Sequence, residues 1–151
     1  MSWLIPVLAR LCLVVMFPFS AADKVVHWKE AMVQARSAPL PGAAWMLVAA
    51  IIVEFCTPFM IVLGIEARLA AFVLAGFCLV TALLYHPFWN YPDFWAKDGI
   101  GRSNFWDFLK NFGLVGGLLL VICAGPPIGL GAILSHPLSS PPYTTHAGYQ
   151  P

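Results

Sequence analysis

Apolar residues in this chain gather in four long runs rather than in narrow stripes. The runs extend from Trp3 to Ala22, Ala43 to Leu63, Arg68 to Tyr85 and Trp106 to Ala124. A helix needs about 20 mostly apolar residues to cross a hydrocarbon core of ~30 Å, and each run is close to that length. The pattern predicts an all-α integral membrane protein, a bundle of four transmembrane helices with its N and C termini on the same side. Gly64-Ile65-Glu66-Ala67 leaves room only for a tight turn, so the second and third spans should be antiparallel neighbours.

The other two connections are long. From Asp23 to Gly42 a short amphipathic stretch through Val25, Trp28, Met32 and Ala35 is expected to lie along the interface, ended by Pro39-Leu40-Pro41-Gly42. From His86 to Asn104 the chain packs in Phe88, Trp89, Tyr91, Phe94 and Trp95, followed by Phe105 and Trp106. These rings read either as an aromatic belt at headgroup level or as a platform for stacking a ligand. The tail from Gly125 to Pro151 has no charged residue and two Pro-Pro pairs. It is expected to be disordered or to form an extended strap laid on a partner.

Composition supports a lipid environment and narrows the function. Of 151 residues, 60% are hydrophobic and 10% charged, too little polar surface for a water-soluble domain of this size. The net charge of +1 comes from scattered basic residues, which excludes nucleic acid as a partner. Lys24, Lys29, Arg36, Lys97, Arg102 and Lys110 fall on the long-connection side, with Arg68 opposite. By the positive-inside rule the long connections are expected to be cytoplasmic and the termini exterior. Ser20-Ala21-Ala22 resembles a signal-peptidase site, but the N-terminal region lacks the usual positive charge and Arg10 interrupts the apolar stretch, so the first run reads as a retained span. Cys12, Cys56, Cys78 and Cys123 show no metal-ligand spacing and are expected to be buried small hydrophobes.

Ionisable groups inside spans are costly and normally face a partner. Counting ~1.5 Å per residue places Arg10 about 10 Å and Glu54 about 15 Å below the same face, a difference that a guanidinium reaches across, which predicts a buried pair between them. Such a pair fixes helix register or serves proton or quinone chemistry. Pro58 removes the amide that would bond the Glu54 carbonyl, and Pro18 does the same to Val14, so both helices should be irregular there.

A second group gathers toward the long connections. Lys24 shares the interior face of the first span with Arg10, and an Ala71, Ala75, Ala82 stripe on the third span ends at His86. The fourth span opens with Asp107, Lys110 and Asn111, and its Gly113-x-x-x-Gly117 allows close approach of a neighbour. Ser20, Lys24, His86, Trp89, Lys110 and Asn111 could together bind a quinone head, whose carbonyls need donors and whose reduction needs protons. Helix capping and snorkelling explain the same residues without a ligand. No catalytic triad, phosphate loop or metal cluster is visible, which disfavours a stand-alone hydrolase or kinase.

Several motifs together resemble the DoxX family of small four-helix membrane proteins. They are Ala9-Arg10-Leu11 with Phe17-x-x-Ser20-x-x-Asp23-Lys24, the midspan Glu54, Gly64-x-x-x-Arg68-Leu69-Ala70-Ala71, His86-Pro87-Phe88-Trp89, and Lys110-Asn111-x-x-Leu114-x-Gly116-Gly117. The resemblance covers roughly residues 3 to 124. It implies a bacterial or archaeal cytoplasmic-membrane protein linked to redox systems; related DoxD-type subunits belong to thiosulfate:quinone oxidoreductase, and other members to thiol and oxidative-stress complexes. The Tyr91 to Trp106 segment and the tail extend beyond the family core and suit a particular partner.

The leading expectation is a membrane subunit of a respiratory or quinone-linked oxidoreductase complex, rather than an enzyme by itself. It would anchor a larger redox protein and line a quinone pocket, with bound phospholipid, no covalent cofactor, and room for a homo-oligomer. The alternative is a non-catalytic structural or assembly protein whose tail binds a larger enzyme. A proton or small-molecule carrier using Arg10 and Glu54 is a third reading, disfavoured by the lack of an internal repeat unless the chain oligomerises.

Overall fold

The computed structural model describes residues 4–92, 94–95 and 99–123. The Gly125 to Pro151 tail and Lys97 lie outside these residues. The described chain is all helical: α1 (Leu4–Val14), α2 (Met16–Val26), α3 (Trp28–Ser37), α4 (Ala43–Leu63), α5 (Ala67–Tyr85), a single 3₁₀ turn (Phe88–Asn90) and α6 (Ile100–Cys123). Four segments are long and apolar enough to cross a membrane: Leu4–Val26, Ala43–Leu63, Ala67–Asn90 and Ile100–Cys123. The protein is a four-helix transmembrane bundle with the two ends of the bundle on the same side.

The first span is made of α1 and α2, interrupted at Val15. Pro18 has no amide to give the Val14 carbonyl, so the helical ladder loses a bond where the interruption falls. α4 carries Pro58 within one continuous helix. Beside it the buried Thr57 hydroxyl donates to the Val53 carbonyl at 2.7 Å, which satisfies a polar group that lipid could not.

The turn between α4 and α5 is set by Gly64. Its φ of +74° ends α4 in the left-handed conformation, which glycine adopts without penalty, and Ile65 N–H donates to the Met60 carbonyl at 2.9 Å. Near this turn lies the core, built from Val14, Phe17, Ile61, Ala71, Leu74, Cys78 and Leu118 among others. α5 buries five alanines, Ala67, Ala70, Ala71, Ala75 and Ala82. Lipid offers no hydrophobic drive for helices to associate, so close approach over small side chains supplies the contact. At Gly117 an added Cβ would lie 2.6 Å from Leu13 Cδ1, which shows how closely α1 approaches α6.

Helix ends extend past the apolar runs. α6 begins at Ile100 rather than Trp106, and α2 continues to Val26, because hydropathy marks only the part of a helix that sits in hydrocarbon. α3 is the expected amphipathic helix, but its inward face differs. Val25 and Trp28 are exposed while Ala35 is buried, and Ala31 and Gln34 accompany Ala35 toward the bundle. Of the cysteines, only Cys78 is buried; Cys12, Cys56 and Cys123 lie on the outside. A thiol is small and apolar enough to face lipid as readily as core, so burial did not follow from its place in an apolar run.

Candidate ligand site inside the bundle

Ser20 and Lys24 are one helical turn apart on α2, and Glu54 stands midway along α4. Lys24 Nζ donates to Ser20 Oγ at 2.6 Å and to Glu54 Oε1 at 3.0 Å. The same ammonium lies 2.8 Å from Oε2, off the line that a directed hydrogen bond to that oxygen requires. Ser20 Oγ also donates to Glu54 Oε1 at 3.2 Å. Glu54 is 4% exposed, so its charge is compensated inside the protein rather than by solvent. A buried carboxylate is tolerated only with such a partner.

The pair expected between Arg10 and Glu54 is replaced by this one. Arg10 Nη1 donates to the Ile61 carbonyl at 3.2 Å, and Ile61 lies seven residues beyond Glu54, about 10 Å nearer the tight turn. The direction of helical side chains explains the exchange. Every Cα–Cβ bond leans toward its own helix N-terminus. Arg10 therefore leans toward the tight-turn side, whereas Lys24 leans back into the membrane. Glu54, on the antiparallel α4, leans toward the long connections and meets Lys24.

These groups line a cavity of about 410 Å³. Its wall includes Ser20, Lys24, Glu54, His86 and Asn111, with Phe17, Val53, Phe77, Val80, Leu84 and Leu114 forming an apolar remainder. Four of the six sequence-predicted ligand residues thus share one cavity. His86 ends α5 and holds Nδ1 3.5 Å from Asn104 Oδ1. Asn111 is steadied by donating from Nδ2 to the Asp107 carbonyl at 2.9 Å.

The other two predicted residues lie elsewhere. Lys110 pairs with Asp107 at 2.9 Å, its side chain 72% exposed, and it is not part of the cavity wall. Trp89 packs on Phe88 and Phe108 with ring centroids 5.3 and 5.8 Å away. The Phe88 ring meets Phe94, Phe105 and Phe108 as well, each at 5.2 Å. These rings form an edge-to-face cluster beside the start of α6 instead of a lid over the cavity; the wall takes its rings from Phe17, Phe77 and Tyr85. Gln34, Thr81 and Tyr85 were not singled out in the sequence. The Ala31, Gln34, Ala35 spacing on one face of α3 was the available signal for the first of them.

The DoxX family profile matches residues 5–87, a stretch that includes Arg10, Ser20, Lys24, Glu54 and His86. The chain belongs to the DoxX family. Among similar proteins, the inner membrane protein YqjF of Escherichia coli (strain K12) is 29% identical over 118 residues, covering 78% of this chain and 82% of YqjF. The inner membrane protein YphA of the same organism is 28% identical over 123 residues, covering 79% of this chain and 81% of YphA. No solved structure matches the chain. In this DoxX protein the family segment supplies the α2, α4 and α5 walls of the cavity, while Asn111 and Leu114 of α6 lie beyond it.

Proposed function

We propose that this DoxX protein is a membrane subunit of a quinone-linked oxidoreductase complex, placed in the cytoplasmic (inner) membrane with its long connections inside and both termini outside. Its intramembrane cavity holds the quinone head. The observation that supports this reading most is the Ser20, Lys24, Glu54 network on the wall of a cavity of about 410 Å³ between membrane-spanning helices. Ligand pockets usually run from ~300 to 1,000 Å³ and are mainly apolar with a few convergent polar groups. The Lys24 ammonium, with two of its three donors engaged by Ser20 and Glu54, offers the third to a quinone carbonyl oxygen. Two electrons from the redox partner of the complex and two protons convert the ring to the quinol, and Lys24, Glu54 and His86 are titratable groups on the cavity wall.

The test is purification in mild detergent followed by extraction of bound quinone and assay of quinone-dependent turnover in the intact complex. Lys24→Met and His86→Ala are expected to lower both occupancy and turnover. Finding no quinone, with turnover unchanged in the two variants, would sink the pocket.

A second reading is favoured by one observation: Lys24, Ser20 and Glu54 satisfy one another without a ligand. On that reading the chain is a structural or assembly subunit and the ion pair fixes helix register. A Lys24→Met/Glu54→Leu double variant separates the two, because a structural subunit would keep its complex and its turnover. Deleting residues 125–151 tests the anchoring role; loss of the partner from an intact bundle would support it.

A further inference from the structure

The cavity is bordered by α2, α3, α4, α5 and α6. α4 forms its back, α5 with the nearby part of α6 one flank, and α2 the other. On the side of the long connections α3 packs on both α2 and α4 and places Ala31, Gln34 and Ala35 in the wall. α3 therefore narrows the route from water.

The least packed side is the gap between α2 and α6. Nearer the tight turn, α1 packs on α6 through Leu13 and Gly117. Beyond the interruption at Val15 the span changes partners. α2 packs on α3 and α4, and among the described residues it makes no comparable contact with α6. Met16, the first residue of α2, is 53% exposed and still lines the cavity, and Leu114 of α6 lines it too. Both lips are apolar and both belong to spans, so the gap faces hydrocarbon. Met16 also sits eight residues before Lys24, about 12 Å deeper in the membrane than the ammonium-bearing residue.

We infer that the site is reached sideways from the bilayer, between α2 and α6, and that its occupant is a long-tailed amphiphile. The polar head rests on Ser20, Lys24 and Glu54, and the tail leaves between Met16 and Leu114 into the lipid. This inference rests on the reading that a quinone head occupies the cavity, and it adds the class of molecule and its path. A tail that remains in hydrocarbon costs the ligand no transfer to water, and one end of the cavity need not enclose it.

The experiment uses the full chain in lipid nanodiscs and two probes: a dimethoxy-methyl-benzoquinone head carrying a decyl tail, and the same head without a tail. Each competes with a photoreactive azidoquinone for labelling of the protein. Met16→Trp, which fills the lip, is expected to weaken the tailed probe by about tenfold while leaving the tail-free probe within about twofold of wild type. Met16→Ala, which widens the lip, should not weaken either and guards against a folding artefact. Val80→Trp, in the cavity wall at the edge where α4 and α5 pack on each other, tests the rival exit, and Ile52→Trp, 56% exposed on α4 and outside the wall, should leave both probes unchanged. Equal weakening of the two probes by Met16→Trp, or weakening of the tailed probe by Val80→Trp alone, would overturn the path and leave the quinone site standing. Failure of both probes to compete in wild type, or competition that persists in Lys24→Met, would overturn the site itself.

Discussion

Toward the tight turn, α1, α4, α5 and α6 meet through Val14, Ile61, Ala71, Leu74 and Leu118, each at most 1% exposed. Toward the long connections the same bundle parts around a cavity that holds a lysine, a glutamate and a histidine. Both ends are immersed in the same solvent, so the difference lies in the side chains. The first half uses alanine and glycine to bring backbones together, and it gains dispersion contacts that lipid tails could not match. The second half carries groups that lipid cannot solvate, and it must spend its geometry on pairing them. Apart from Arg10, which bonds the Ile61 carbonyl, close packing and buried charge are thus segregated along the bundle axis.

The largest effect that would break this comparison is expected from Lys24→Met. It leaves Glu54 buried without its cation and should cost about 3–5 kcal/mol, read by unfolding in mixed micelles. Adding Glu54→Leu should restore most of the loss; if the single variant is as stable as wild type, the polar half is not held by this pair. Next is Gly101→Ala. Its Cβ would lie 2.6 Å from Tyr91 Cβ and 3.1 Å from Phe94 Cα, and the backbone must shift at a cost of about 1–3 kcal/mol. Gly117→Val should cost less, about 1 kcal/mol, because the atom it meets is the far end of the flexible Leu13 side chain. The smallest effect is expected at Gly116 and Gly76, where an added Cβ meets nothing within 4 Å. Alanine there should be neutral or should stabilise by up to about 1 kcal/mol through helix propensity. A loss as large as that of Gly117→Val would show an unrecognised packing partner on those faces.

The four spans were legible because a stretch apolar on every side has one stable home. The tight turn was legible because Gly64 to Ala67 is too short for a longer connection. The alanine stripe of α5 and the inward face of α2 followed from helical periodicity alone. What was misread has specific causes. Depth counted along helix axes brought Arg10 and Glu54 together, whereas the lean of each Cα–Cβ bond sends Arg10 toward Ile61 and Lys24 toward Glu54. Lys110 and Asn111 are adjacent in sequence, about 100° apart around the helix, so only Asn111 reaches the cavity. The rings near Trp89 found one another because edge-to-face contact among aromatics satisfies them without a ligand. Apolarity could not tell lipid from core for Cys12, Cys56 and Cys123, since neither environment contains water.

The turn at Gly64 also bears on how the chain enters the membrane. Three residues separate α4 from α5, and even fully extended they reach only about 10 Å, a third of the ~30 Å hydrocarbon layer. With the end of α4 at one surface, the start of α5 cannot wait at the other. The two spans must cross the bilayer together as a helical hairpin, which places Glu54 in hydrocarbon with a neighbouring helix already beside it.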